Sequence, residues 1–352
     1  MSMRPKFFDY RDWTALDFET TGDLPEYALQ PWSVRGRPSS LAIARKVDGR
    51  FAGTSSSARA TPSEIWVMAR KVLKPGAAIV GWNTAFDVAW LLSMGLRDEV
   101  RQVEWLDAMQ LWRHLTRIPE SDIPNARGRK QYGLKSAVSE FFPEYAGYGD
   151  NINFHPTTDA EWAALLKYNK LDTVLTLKLA ELFWNKLRKN PAQLQCALIE
   201  AKAIPEVADS AVTGLYVDIE YGDTLGAELD AEIEERSAEL AAIGLSQEVL
   251  ASPTQLRTVL FDEWRLPVKN KTPKGEPSTD KEALFELAFL DERAALIQKY
   301  REAQVLRTKF LNKVMESCDY NGGLTTHPTA NIYGTYTGRM TYSSFIGRNK
   351  DC

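Results

Sequence analysis

The chain has few of the residues that build disulfide frameworks or zinc sites. Its 352 residues include three cysteines and three histidines. Cys196, Cys318 and Cys352 are odd in number and far apart, which argues against a disulfide framework and favours a reducing compartment. The histidines have no cysteine or histidine neighbours at the spacing of zinc ligands. These absences exclude a disulfide-stapled secreted scaffold and a zinc-stabilised fold.

Long apolar runs are also missing. No segment approaches the roughly 18 apolar residues of a membrane span, and no apolar stretch of a secretory signal follows the charged N-terminus. We therefore expect a protein with no membrane partner. The 44% of hydrophobic residues is ordinary for a globular protein, and 352 residues predict two or three domains.

The charge is small in total and uneven in distribution. The net charge is −4, but residues 218–248 hold ten acidic residues against one arginine, whereas residues 299–313 are mainly basic. A local basic patch can bind phosphate even when the total charge is negative. On charge alone, both segments equally fit solvated helix faces.

An apolar run near the N-terminus ends in two acidic residues separated by one position. Residues 13–16 are followed by Asp17, Phe18 and Glu19. Alternate side chains of a strand share a face, so Asp17 and Glu19 point the same way while Phe18 turns into the core. Two carboxylates held this close repel each other unless one is protonated or a cation lies between them. The pair predicts half of a divalent-metal site, and the alternative is a polar strand end before a turn.

A third acidic residue falls at a helix start. A short apolar strand at residues 77–80 precedes Asn83, and from Thr84 the apolar spacing predicts a helix with Asp87 in its first turns. We expect the Asn83 and Thr84 pair to cap this helix. Taken alone, Asp87 fits an acid favoured by the helix dipole as well as a metal ligand.

The clearest helix runs from residue 158 to about residue 187. It opens with a capping box, Thr158 to Glu161, and carries Tyr168 and Asp172 four residues apart on one side. An acidic residue on a mostly apolar face is costly to bury unless something pairs with it. Asp172 is therefore a further candidate ligand.

These groups form an ordered set. The succession Asp17-x-Glu19, Asn83-x-x-Phe86-Asp87 and Tyr168-x-x-x-Asp172 resembles the tyrosine-bearing branch of the DEDD superfamily of 3′-to-5′ exonucleases, found in the proofreading domains of DNA polymerases. The resemblance implies an α/β domain of the ribonuclease H-like class over residues 1–190, with a mixed five-stranded sheet and flanking helices.

The resemblance also implies a site and its cofactors. The expected ligands of two Mg²⁺ ions, with Mn²⁺ as the alternative, are Asp17, Glu19, Asp87 and Asp172. Tyr168 is expected to orient the attacking water, a task that Glu19 shares. Leu24 and Asn83 are candidate contacts with the terminal nucleotide. Four carboxylates suit this chemistry because hard divalent ions prefer oxygen ligands.

The second half of the chain resembles a different part of the same enzymes. Residues 191–325 are similar to the mainly helical thumb subdomain of family A DNA polymerases, the group of bacterial DNA polymerase I and several phage replicative enzymes. Residues 335–344 resemble the segment that leads into their palm, so residues 326–352 are interpreted as a palm start. The implied partners are a single-stranded 3′ end and a primer-template duplex. Expected DNA contacts are Lys274, Ser278, Thr279, Lys299, Arg307, Lys309, Lys313 and Arg339.

The chain departs from that family after the palm-like segment. No palm carboxylate motif and no fingers helix follow it. We therefore expect no DNA polymerisation by this polypeptide alone, and interpret it as a fragment or as one subunit of a split polymerase with separate palm and fingers. Two other hypotheses remain open at this point: a catalytically idle DNA-binding or assembly subunit, and an RNA-trimming member of the superfamily, against which the thumb-like half argues.

Overall fold

The computed structural model of the chain describes residues 12–116, 132–320, 323–332 and 339–343. The chain divides into two compact units. Unit 1 consists of Met1–Leu215 together with His327–Cys352, and unit 2 consists of Tyr216–Thr326. Each unit has a hydrophobic core of its own, and each is described by itself.

The sheet of unit 1 has five strands in the order β3-β2-β1-β4-β5. Its strands are β1 (Thr14–Gly22), β2 (Gly36–Val47), β3 (Arg50–Ser55), β4 (Ala78–Gly81) and β5 (Glu104–Asp107). β1, β2 and β3 pair antiparallel, whereas β4 and β5 add in parallel on the other side of β1. Asp48 and Gly49 both have positive φ, as expected for a tight two-residue hairpin turn between β2 and β3. The predicted α/β class with a mixed five-stranded sheet is confirmed.

Helices cover this sheet. The α-helices of unit 1 are α1 (Pro62–Val72), α2 (Thr84–Ser93), α3 (Arg97–Arg101), α4 (Ala108–Thr116), α5 (Leu134–Phe141), α6 (Asp159–Leu187), α7 (Pro191–Ala201) and α8 (Ile204–Thr213). α6 packs against β1, β2 and β3, so its buried face lies opposite the strand that carries the first two acidic residues. The packing joins Trp13 of β1 edge-on to Trp184 of α6, with ring centroids 5.3 Å apart.

The predicted start of α6 is confirmed, and α1 begins in the same way. Thr61 and Thr158 each accept a hydrogen bond from the backbone N–H three residues on, and Glu64 and Glu161 bond back to complete capping boxes. The predicted cap of α2 is wrong in its mechanism. Asn83 has a left-handed backbone conformation, with φ of 58°, and its side chain makes no capping hydrogen bond.

The compact units divide the chain later than residue 190. α7 and α8 bury Leu194, Ala197 and Ile204 in the same core as the sheet, so these helices belong to unit 1. Ala330 and Ile332 join this core as well. The functional division into segments 1–190, 191–325 and 326–352 stays a prediction.

Unit 2 is mainly helical. Its α-helices are α9 (Ile219–Ala242), α10 (Gln247–Ala251), α11 (Pro253–Arg257), α12 (Lys281–Ala288), α13 (Glu292–Val305) and α14 (Asn312–Tyr320), and two π-helical segments cover Thr258–Glu263 and Leu306–Leu311. Two short strands are β6 (Leu215–Tyr216), at the boundary between the units, and β7 (Thr325–Thr326), at the end of unit 2. Two more, β8 (Thr329–Asn331) and β9 (Thr341–Ser343), belong to unit 1 and pair antiparallel. Within the described ranges no helix is both long and apolar enough to cross a membrane.

Candidate active site

The carboxyl end of β1 places two acidic side chains on one face of the sheet. Asp17 and Glu19 are partly exposed, whereas Phe18 between them is buried in the core. This alternation is the period of two that a strand imposes. Asp172, on the facing side of α6, is buried beside them. One carboxylate oxygen from each of Asp17, Glu19 and Asp172 lies within 4.8 Å of the other two.

Asp87 lies behind this group. Its Oδ1 accepts a hydrogen bond from the backbone N–H of Phe18 at 3.0 Å, which fixes α2 against the strand that carries Asp17 and Glu19. Asp87 is buried and close enough to raise the pKa of Asp17 by charge repulsion. It is not a member of the 4.8 Å group among the described residues. The structure thus brings all four predicted acids to one end of β1 and places three of them close enough together to bind one ion.

The free carboxylates disfavour their own ionisation. Burial raises the pKa of Asp17 well above its usual range, and the charges of Asp87, Glu19 and Asp172 raise it further. Burial, with the charges of Asp172 and Asp87, raises the pKa of Glu19 to about 8. Burial likewise raises the pKa of Asp87 to about 8 and that of Asp172 to about 6. Carboxylates that are this costly to ionise favour the binding of a cation, because its positive charge offsets their repulsion.

A buried asparagine, which sequence reasoning missed, positions Asp17. Asn169 is fully buried on α6, and its Nδ2 donates to Asp17 Oδ2 at 2.6 Å. Its Oδ1 accepts from Ser40 Oγ at 2.8 Å, so β2 fixes the orientation of the amide. The sequence offered one signal for Asn169, which is a polar residue next to Tyr168 on a mostly apolar helix face.

Asp107, at the end of β5, is the second missed residue. Its two carboxylate oxygens accept from the backbone N–H groups of Asn83 at 3.1 Å and Thr84 at 3.2 Å. It therefore satisfies the free amides at the start of α2, the role predicted for Asn83 itself. The cap comes from a residue 24 positions away, so no local pattern could reveal it. By fixing this helix start, Asp107 also places Asp87.

Tyr168 lies one turn before Asp172 and is surrounded by other side chains of unit 1. The Tyr148 ring stacks on it at a centroid distance of 5.9 Å, and Phe154 contacts it edge-on at 5.7 Å. Lys135 Nζ lies 5.3 Å from its ring centroid and lowers the pKa of both Glu19 and Asp172. Burial and the charge of Asp172 raise the pKa of the Tyr168 hydroxyl, so it remains protonated and able to donate.

The donor set fits divalent cations. Three carboxylates converge within 4.8 Å of one another, and among the described side chains Asp172 Oδ1 is buried without a hydrogen-bond partner of standard geometry. A buried carboxylate oxygen with no partner is costly, and a hard cation satisfies it directly. Asp17, Glu19 and Asp172 are therefore suited to hold Mg²⁺ or Mn²⁺, with Asp87 adjacent.

The predicted DNA contacts of unit 2 lie in different surroundings. Lys274, Lys299, Lys309 and Lys313 are exposed. Arg307 already pairs with Asp230 of the acidic helix α9, with its Nε 2.8 Å from Oδ1. Ser278 and Thr279 are buried, and the Ser278 hydroxyl accepts from the backbone N–H of Asp280. These two hydroxyls are therefore not surface groups open to a phosphate.

The remaining predicted contacts lie in unit 1. Leu24 is 46% exposed, immediately after the end of β1, and Asn83 is exposed at the start of α2. Arg339 is exposed. Residues 335–338 of the palm-like segment lie outside the described residues.

Comparison with known proteins finds similarity to DNA polymerases. The family model "DNA polymerase family A" matches residues 219–345. DNA polymerase I of Pseudomonas aeruginosa is 30% identical over 181 residues, which cover 50% of this chain and 19% of that enzyme. DNA polymerase DpoZ of Vibrio phage phiVC8 is 24% identical over 373 residues, which cover 93% of this chain and 57% of that protein. The chain thus spans about a fifth of the bacterial relative and little more than half of the phage one.

A solved structure extends the likeness to the fold. It is described as the POL domain of Pol1 from M. smegmatis in complex with DNA primer-template and dNTP. It is similar with a TM-score of 0.68 and 20% sequence identity, over 94% of this chain and 51% of that chain. The matches in sequence and in fold together relate this chain to the family A DNA polymerases.

Proposed function

We propose that unit 1 is a metal-dependent 3′-to-5′ exodeoxyribonuclease of the ribonuclease H-like class, the proofreading part of a family A DNA polymerase. The observation that carries this proposal is the convergence of Asp17, Glu19 and Asp172 from a strand and a helix, with Asp87 directly behind. A purely structural role does not explain it, because these acids raise one another's pKa and so oppose folding in the charged form.

The four acids have distinct tasks in this proposal. Asp17, held by Asn169, and Asp172 are the ligands with fixed orientation, Glu19 is a third ligand, and Asp87 completes the set. Two divalent ions, when bound, stabilise the charge on the attacking and leaving oxygens of the phosphodiester. Tyr168 orients the attacking water with its neutral hydroxyl, and Glu19 shares this task. The water loses a proton as its oxygen bonds to phosphorus, the bond from phosphorus to the upstream 3′ oxygen breaks and that oxygen takes up a proton from solvent, and the terminal nucleotide leaves as a 5′-mononucleotide.

A cleft at the end of β1 suits the incoming strand. It has a volume of about 770 Å³ and is lined by the end of β1, by Arg37 and by the segment around Phe154 and Trp162. Phe154 is 41% exposed and also contacts the Tyr168 ring, which connects the cleft to the candidate site. Arg37 is exposed and has no ion pair within the part of the chain described. Aromatic side chains stack on bases and arginines bind phosphates, a combination that holds single strands of any sequence.

Unit 2 is proposed to bind duplex DNA as a thumb-like domain. The exposed Lys274, Lys299, Lys309 and Lys313 suit phosphate contacts, which are independent of sequence and sensitive to salt. For polymerisation we propose a palm and fingers polymerase chain as a partner. The relatives named above are polymerases, and this supports a replicative context.

The test is degradation of a 5′-labelled single-stranded oligonucleotide by the purified chain in Mg²⁺ and in EDTA. The proposal expects a ladder that shortens from the 3′ end only with metal, and no ladder with Asp17→Asn. Asp98→Asn, a change at an exposed acid on α3, is the matched control and should retain full activity. Bound DNA without any ladder would instead favour a catalytically idle binding subunit, and a ladder on RNA alone would favour an RNA-trimming enzyme.

A further inference from the structure

We propose that Tyr148 is a second tyrosine of the exonuclease site, a positioning residue that holds both Tyr168 and Asp172 in place. The proposal rests on the function proposed above. It assigns a role to a loop that no sequence motif singled out, between α5 and α6.

The loop backbone is built to bring Tyr148 under Tyr168. Gly147 and Gly149 flank Tyr148, and both have a φ of 77°, a conformation that side chains rarely allow. A Cβ on Gly149 would lie only 2.3 Å from Tyr168 Cε2, so the absent side chain is what lets the loop approach the ring. The carbonyl oxygen of Gly149 accepts from Lys135 Nζ at 3.3 Å, which ties the loop to α5.

The two rings form a stack with a third ring at its side. Tyr148 and Tyr168 are inclined by 26° with centroids 5.9 Å apart, and Phe154 contacts Tyr168 at 86°. Lys135 Nζ lies 5.3 Å from the Tyr168 ring centroid. Tyr168 is thus held by Tyr148, Phe154 and Lys135, and its hydroxyl has little freedom to swing away from the acids.

The Tyr148 hydroxyl supplies the second contact. The hydroxyl is buried, and hydrogen bonding from it lowers the pKa of the Asp172 carboxyl, as does the hydroxyl of Tyr168. Asp172 Oδ1 is itself buried. A hydroxyl that donates to a buried carboxylate offsets part of the cost of burying its charge and limits its rotation. Tyr148 therefore helps to fix the orientation of this ligand.

Two variants of Tyr148 can separate the contribution of its ring from that of its hydroxyl. Tyr148→Phe keeps the stack on Tyr168 and removes only one of the two hydroxyls that donate to Asp172. Tyr148→Leu removes both. Tyr148 does not line the strand cleft, so neither change should affect strand binding directly. Tyr145→Phe is the matched control, because Tyr145 lies on the same loop and packs against the same core but contacts Lys178 instead.

The experiment measures kcat and KM on a single-stranded oligonucleotide, Mn²⁺ affinity by calorimetry, and Tm in EDTA. Removal of a group that orients a metal ligand typically costs roughly 10- to 100-fold in activity or metal affinity. We expect Tyr148→Phe to lower kcat by about tenfold or more and to weaken Mn²⁺ binding about tenfold, with KM and Tm unchanged. Tyr148→Leu should lower kcat further, and Tyr145→Phe should match the wild type.

Three outcomes would overturn the role of Tyr148. These are Tyr148→Phe values within twofold of the wild type, a loss in Tyr145→Phe of the same size, or a fall in Tm that accounts for the lost activity. An inactive wild-type chain would contradict the proposed function and not this inference, because the Mn²⁺ affinities of wild type and Tyr148→Phe would still decide whether Tyr148 positions Asp172.

Discussion

Neutralising Glu19 should stabilise the metal-free protein. Burial and two neighbouring carboxylates raise the pKa of Glu19 from 4.5 to about 8. At about 1.4 kcal/mol per pKa unit, the ionised side chain then costs the fold at most about 5 kcal/mol. Because Asp172 and Asp87 share this repulsion, we expect Glu19→Gln to raise the free energy of unfolding by about 1 to 3 kcal/mol at pH 8.

The pH dependence gives the sign of this effect. A carboxyl whose pKa is raised by folding binds its proton more tightly in the folded state, so stability falls as the pH rises from about 4.5 towards 8. The gain from Glu19→Gln should therefore be close to zero near pH 4.5 and largest at pH 8. Mg²⁺ should reverse the ranking at pH 8, because it binds more tightly to the protein that keeps Glu19 as a ligand and so stabilises that protein more.

The assay is urea denaturation in EDTA at pH 5 and pH 8, followed by tryptophan fluorescence. Of the ten tryptophans only Trp264 lies in unit 2, so the signal reports mainly on unit 1. Glu104→Gln, at an exposed position of β5, is the control and should show no gain. A Glu19→Gln protein that is no more stable than the wild type at pH 8 without metal would refute the reasoning.

Three further tests concern the surroundings of the candidate site and the proposed binding of duplex DNA by unit 2. Asn169→Leu should destabilise unit 1 by about 1 to 3 kcal/mol, since it leaves Ser40 without its partner. It should also slow nucleotide removal roughly 10- to 100-fold, because Asp17 loses the group that orients it. Unchanged urea denaturation and unchanged cleavage would contradict this. Gly149→Ala and Gly49→Ala both change a glycine with φ of 77°, but only at Gly149 does the new Cβ meet another side chain. Only Gly149→Ala should therefore abolish cleavage in the oligonucleotide assay, and equal activities would rule out the close approach. The double change Lys309→Glu, Lys313→Glu should weaken duplex binding and reduce the slope of log K against log[salt] by about 2, where K is the association constant for duplex DNA. An unchanged slope would argue against phosphate contacts by these two lysines.

Local patterns in the sequence were sufficient for much of the fold. Asp48-Gly49 predicts the hairpin, Thr158 to Glu161 predicts the start of α6, and the strand period places Asp17 and Glu19 on one face. Each of these features depends on residues within a few positions of one another. Such short-range physics can be read without a structure.

The parts that could not be predicted depend on contacts between distant residues. Asn169 meets Asp17 across 152 positions. Arg307 was an expected DNA contact, but its pairing with Asp230 across 77 positions occupies it within unit 2. The buried state of Ser278 and Thr279 likewise follows from tertiary packing, which a loop-like composition does not reveal.

The most direct measurement of the central claim is the single-turnover rate at which the chain removes the first 3′ nucleotide from a single-stranded oligonucleotide in Mg²⁺. Wild type is compared with Asp172→Asn, and Asp230→Asn, an acid of unit 2 outside the candidate site, is purified in parallel as the control. The account predicts that Asp172→Asn loses roughly 100- to 1,000-fold in rate, the range typical of removing one group that stabilises charge in the transition state, while Asp230→Asn keeps the wild-type rate. Equal rates in wild type and Asp172→Asn would contradict the assignment of this acid cluster as the catalytic site.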